Sequence, residues 1–229
     1  MRSFFAEFVK RTAFVIVSGA ACVVGARADK VFAISLSMLL LSGVVARSDS
    51  PVETVAFVRH GEKQDKGLGQ LSCKGLNRAL ALPSVIIKTF GRPHAIFAPD
   101  PHKRIVGYEE EPFDYVRALA TIEPTAVSFG LPVDASIGIS DKEGLLVTLE
   151  RPQYRNALLP IAWEHEKIEA TTRALLTAHG GDMAAVPEWH GGDYDSIYVV
   201  TITRVGDTKK ATFALMHQGL NGQKESCPQ

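Results

Sequence analysis

The sequence predicts an α/β fold with a mostly parallel central sheet, and three observations predict it. The run Val55-Ala56-Phe57-Val58 is apolar and rich in β-branched residues, and it ends abruptly at Arg59-His60-Gly61-Glu62-Lys63. A strand buried on both faces that opens into a polar site has that pattern. Two more short apolar runs, Ala95 to Ala98 and Ala157 to Trp163, are separated from it and from each other by stretches that read as helices. Finally, 229 residues with 46% hydrophobic content can bury a sizeable core without help from a metal or a disulfide.

The chain divides into a leader, residues 1–46, and a single domain, residues 47–229. Arg2, Lys10 and Arg11 precede an apolar run from Ala13 to Ala26, and Ala26-Arg27-Ala28 offers the small residues that a signal peptidase reads. A second apolar run spans Val31 to Ala46. Each is shorter than the roughly 20 residues of a spanning helix. Three readings stay open: a signal cleaved after the first run, an uncleaved membrane anchor within residues 13–46, or a start at Met38 with the second run alone as signal. All three imply export, so the domain is expected to be periplasmic or secreted. The leader holds Cys22, which leaves Cys73 and Cys227 as an even pair in the domain. Cys227 sits in a polar tail with little apolar surface to hold it down, and an oxidising destination would let it pair with Cys73.

After a polar linker the domain opens on the strand at Val55. A Gly-containing loop, 64–70, leads to Ser72, which can cap a helix reaching Phe90, with Pro83 expected to kink or divide it. The strand Ala95 to Ala98 runs into Pro99. A long loop, Asp100 to Asp114, carries the acidic run Glu109-Glu110-Glu111, and a helix is expected from Thr121 toward Phe129, stopped by Gly130 and Pro132. Val133 to Ser140 reads as extended. Asp141 and Glu143 open a helix to about Leu149, their charge favouring the positive end of its dipole. Ala157 to Trp163 is the next buried strand despite Pro160. It ends at Glu164-His165-Glu166, ahead of a helix from Ile168 to about Ala178. Trp189 and His190 read as surface loop residues, and Ser196 to Thr203 with Ala211 to Met216 reads as a hairpin turning at Gly206-Asp207.

The chemistry suited to Arg59-His60-Gly61 is phosphoryl transfer through a histidine nucleophile. A neutral imidazole can attack phosphorus, a guanidinium can grip two phosphate oxygens, and a glycine lets the anion approach the backbone. The stretch resembles the signature of the histidine phosphatase superfamily, also called phosphoglycerate mutase-like, whose first strand ends in Arg-His-Gly. Further landmarks follow in order over residues 51–229. They are Leu71-Ser72 with Gly75 and Ala79, the strand ending at Pro99, Arg117-Ala118-Leu119-Ala120-Thr121, and a strand ending at His165. The chain departs from the pattern in one place. The second arginine usually follows the proline closely, whereas here a long loop intervenes. Arg117 is preferred over Arg104 because it carries the following Ala and Thr. The inserted loop is expected to border the site, with His102, Lys103 and Arg104 as candidate substrate contacts.

The resemblance implies a three-layer α/β/α sandwich and a phosphatase acting on a phosphorylated small molecule or phosphoprotein. His60 would be the nucleophile, and Arg59, Arg117, His165 and Gly61 would surround the phosphate. It implies no cofactor, and the seven histidines show neither the i, i+4 spacing nor a Cys-x-x-Cys pattern of a zinc site. The family takes its leaving-group proton from a carboxylate between the second Arg and second His, for which Glu143 is the candidate. The alternatives are a mutase-type phosphotransferase and an inactive module that binds phosphorylated ligands. Basic and acidic residues both number 25, so no overall charge excess argues for nucleic acid.

Overall fold

The structure is a computed structural model and describes residues 52–65, 69–102 and 113–229. The leader, its possible membrane anchoring, and Lys103 and Arg104 all lie outside the described residues. Among the described residues no helix is long and apolar enough to cross a membrane. Over the described residues six strands and four α-helices follow one another as β1 (Val52–Arg59), α1 (Cys73–Phe90), β2 (Ile96–Pro99), α2 (Arg117–Phe129), β3 (Val133–Ile137), α3 (Lys142–Leu149), β4 (Leu158–Trp163), α4 (His165–Ala178), β5 (Ser196–Val205) and β6 (Thr208–His217).

The strands form one sheet in the order β3-β2-β4-β1-β5-β6. β1 pairs in parallel with β4, as do β2 with β3 and β2 with β4, while β5 runs antiparallel to both β1 and β6. The sheet is therefore mixed: a parallel block of four, extended by an antiparallel hairpin. Right-handed crossovers put α1 and α2 on one face, because β1-β2-β3 steps in one direction. They put α3 on the other, because β3-β4 steps back. The α1 helix packs on α2, and α3 on α4, in keeping with that division. The core is the sheet's own residues, Val55 to Val58 and Leu159 with Ile161 at 0% exposure, covered by Leu82 and Ile86 from α1 and Ile168 and Leu176 from α4.

Two helix starts and two placements differ from the sequence expectation. Pro83 lies inside an undivided α1, whose capping at both ends and buried Leu82 and Ile86 outweigh one lost hydrogen bond. The Ser72 side chain accepts from the Gly75 amide, and the Gly91 amide donates to the Ile87 carbonyl at 3.1 Å. α2 begins at Arg117, a full turn earlier than Thr121. α4 begins at His165 because the Glu164 carboxylate caps it, accepting from the Lys167 amide at 3.1 Å. Trp189 is buried at 4% exposure, stacked on Tyr198 with centroids 4.3 Å apart. A lone tryptophan between glycines gave no periodicity from which burial could be read. His190 is exposed, as expected of a loop residue.

The predicted Cys73–Cys227 disulfide is present, joining the first residue of α1 to the tail. The tail also lies along α1 through Asn77, whose amide donates to the carbonyls of Lys224 and Ser226 at 2.9 and 2.8 Å.

Candidate active site

β1 and β4 are adjacent, yet the chain leaves them in opposite directions, and in open α/β sheets that arrangement opens a crevice at the carboxyl ends of the two strands. His60 follows β1, and Glu164 and His165 follow β4. The Arg59↔Trp163 register sets the two exits side by side, and the His60 amide donates to the Trp163 carbonyl at 3.0 Å.

His60 is 2% exposed. Its Nδ1 lies 2.8 Å from the Gly61 carbonyl, which can only accept, so Nδ1 carries the hydrogen and Nε2 presents a lone pair. Arg117 Nε donates to that Nε2 at 3.2 Å. Burial, followed by the Arg117 charge, pushes the imidazole down to about 3, with Arg59 adding to the effect. His60 is thus a neutral base at physiological pH.

The family's Arg-Ala-x-x-Thr spacing has a physical reason here. Thr121 lies one helical turn after Arg117, so its hydroxyl donates to the Arg117 carbonyl at 2.7 Å and accepts from the Gly61 amide at 2.8 Å. One side chain thereby ties the start of α2 to the end of β1 and brings Arg117 to His60. Gly61 and Gly75 are required for a related reason. A Cβ on Gly61 would lie 2.9 Å from the Gly75 carbonyl oxygen, and a Cβ on Gly75 would lie 2.3 Å from that of Glu62. The loop after β1 and the first turn of α1 are packed backbone to backbone.

The two arginines are arranged alike. Arg59 stacks on Tyr194 at 4.1 Å and donates through Nη1 to the carbonyls of Gly191 and Asp193 at 2.6 and 3.0 Å. Arg117 lies 4.3 Å over Tyr115 and 5.9 Å from Phe113. They are 4% and 3% exposed, and neither pairs with a carboxylate among the described residues. The rings of Tyr115 and Tyr194 stand edge-on to His60 at 5.8 and 6.1 Å.

His165 contacts the Glu164 carboxylate through Nδ1. Burial works against ionising Glu164, but the hydrogen bond and charge of His165 together with the Lys167 and Glu166 amides outweigh it and hold the carboxyl at about 2. Glu164 acts electrostatically on His60 and on Tyr115, so it belongs to the same crevice. Glu143 does not share these contacts. It stands on the first turn of α3 with its side chain 78% exposed, its carboxylate 3.5 Å from Lys142. His102 is 89% exposed beside Asp100.

Sequence reasoning missed the frame behind the site. Arg78, 1% exposed, donates to both Glu62 oxygens at 2.9 and 2.7 Å and reaches Asp195, Gln218 and Asn221 at 3.4, 3.4 and 3.0 Å. Burial alone would raise the Glu62 carboxyl, but the Arg78 hydrogen bonds hold it below the usual range. The Asp195 carboxylate also accepts from the amides of Gly219 and Leu220. Arg78 is on the buried face of α1, and an arginine at a core position is the signal that could have revealed the frame.

No family model and no curated protein sequence matches the chain. Solved structures do. A mycobacterial glucosyl-3-phosphoglycerate phosphatase superposes with a TM-score of 0.50 at 15% identity, over 71% of this chain and 97% of that one. A phosphoglycerate mutase from Bacillus anthracis gives 0.48 at 10% identity, over 72% and 94%. One from Plasmodium falciparum gives 0.44 at 14%, over 71% and 89%. The likeness to the mycobacterial structure is one of fold. The chain has the phosphoglycerate mutase-like fold, the fold of the histidine phosphatase superfamily that its sequence resembles.

Proposed function

We propose that the protein is a metal-independent phosphatase that passes a phosphoryl group from its substrate to His60 Nε2 and then to water. One observation carries the reading. Two buried guanidiniums without carboxylate partners among the described residues flank a buried imidazole held neutral with its Nε2 lone pair unprotonated. Burying unpaired positive charge is costly unless an anion completes the site. Arg59 Nε is a buried donor without a partner among the described residues, and the Arg117 guanidinium touches the nitrogen proposed as nucleophile. On phosphate arrival Arg117 Nε would move from Nε2 to a phosphoryl oxygen, freeing the lone pair for in-line attack. Both arginines, with His165, would stabilise charge on the equatorial oxygens; the Gly61 amide, expected to face the phosphate, is instead held by Thr121.

Glu164 is held as an anion, and Glu143 faces solvent. The reading therefore favours substrates whose leaving group departs without a strong acid behind it, such as an aryl oxide or a nitrogen base, whether on a small molecule or a protein. Export is supported by the disulfide, which persists in oxidising compartments.

Hydrolysis of a chromogenic aryl phosphate tests the proposal, with His60→Ala as control and acid-labile labelled phosphate on His60 sought by quenching. Turnover should vanish in His60→Ala, and equal rates in the two proteins overturn the nucleophile. A chain that binds phosphate without turnover is a binding module instead.

A further inference from the structure

The Tyr115 hydroxyl has no role in the mechanism above, yet its position is unusual. Tyr115 is 0% exposed, and the hydrogen-bonding neighbour of its hydroxyl among the described residues is the Arg117 guanidinium, which can donate to the oxygen but offers the proton no acceptor. A buried hydroxyl proton without an acceptor is rare, because it has given up water and received nothing in exchange. The ring is fixed on three sides: the Arg117 guanidinium lies over its face at 4.3 Å, His60 meets it edge-on at 5.8 Å, and the backbone amide donates to the Pro101 carbonyl at 3.1 Å. The charges acting on it are Arg117, Glu164 and Arg59, the same groups that surround His60.

We propose that the Tyr115 hydroxyl is a fixed hydrogen-bond donor of the anion pocket, satisfied when an oxygen of a bound phosphoryl group reaches it. Burial pushes the phenol well above its ordinary value, so it keeps its proton across the working pH range and serves as a donor that does not ionise. It complements the arginines. They supply charge, while a rigid ring with two rotatable bonds supplies direction at little entropic cost. The inference deepens the phosphatase reading, because it concerns the same pocket, but it needs only that the pocket binds phosphate.

The test compares the full-length wild type with Tyr115→Phe, which keeps the ring under Arg117 and deletes the hydroxyl alone. Thermal melting is followed with and without inorganic phosphate and orthovanadate, and phosphate affinity is titrated. Without ligand the variant should melt close to the wild-type temperature, since the hydroxyl it removes has a proton with no acceptor in the empty pocket. Its phosphate affinity should fall about tenfold or more, as for a lost hydrogen bond to a charged group. A variant that binds phosphate within about twofold of wild type overturns the proposal. So does one that melts well below wild type with phosphate binding unchanged, or one that fails to fold, because the hydroxyl is then structural. A wild type that binds phosphate but hydrolyses no ester removes the phosphatase reading and leaves this one standing, whereas a wild type that ignores phosphate removes both.

Discussion

The neutral state of His60 makes a prediction whose size follows from its surroundings. In an unfolded chain the imidazole takes a proton near 6.5, whereas in the fold burial and the adjacent guanidiniums lower this to about 3. Between those values the unfolded state binds a proton that the native state refuses, so stability declines as pH falls from 6.5 toward 3 and suffers no such loss above 6.5. The slope approaches about 1.4 kcal/mol per pH unit, so His60 alone should remove about 3 kcal/mol between pH 6.5 and pH 4. Glu164 works the same way in a lower window: its depressed carboxyl stabilises the fold above 4.5, and that contribution drains away toward 2. Substituting His60→Asn removes the first titration and leaves the second. Urea unfolding of both proteins in phosphate-free buffers from pH 7 to pH 4 should show the gap between their stabilities changing by that amount in favour of the variant. The His60 ring resonances should not titrate over the same range. Two stability curves that run parallel to within about 0.5 kcal/mol would refute the argument that the site holds its imidazole neutral.

Removing Arg78 should be among the most damaging single changes outside the catalytic crevice. Arg78→Leu leaves Glu62 and Asp195 buried without their cation, at a cost of about 3–5 kcal/mol in denaturant unfolding. Because Glu62 lies two residues after His60, any turnover should fall as well. Cys227→Ser opens a link between positions 154 residues apart and should lower stability by about 2–4 kcal/mol. Intact-mass measurement with and without reductant should confirm that the wild type carries no free thiol at Cys73 or Cys227.

The parts of this molecule that could be read from the sequence are those in which local pattern and tertiary role coincide. Val55 to Val58 is apolar because both faces of β1 are covered, and the Arg-His-Gly that follows is polar because the strand ends at a crevice. Ser72 and Asp141 cap helices by contacts three residues away, within reach of a sequence argument. The Arg78 frame was not legible, because its four partners come from the loop after β1, the start of β5 and the tail. The tyrosine backing of the arginines was hidden for the same reason: Tyr194 reaches Arg59 across more than half the domain. Glu164 looked like a neighbour of a candidate histidine, and only its burial and its contact with His165 separate it from the exposed Glu143.

The placement of β1 within the sheet has a consequence for how the protein comes into being. The strand that leads into Arg59 and His60 is the first of the domain to be synthesised, yet both its hydrogen-bonded neighbours, β4 and β5, come from the final third of the polypeptide. A nascent chain emerging from the ribosome cannot seat Arg59 and His60 until almost all of it is available, so premature termination before β5 yields no partially competent product. Such late closure makes for slow maturation, and it keeps the chain threadable for as long as its carboxyl end is still being made.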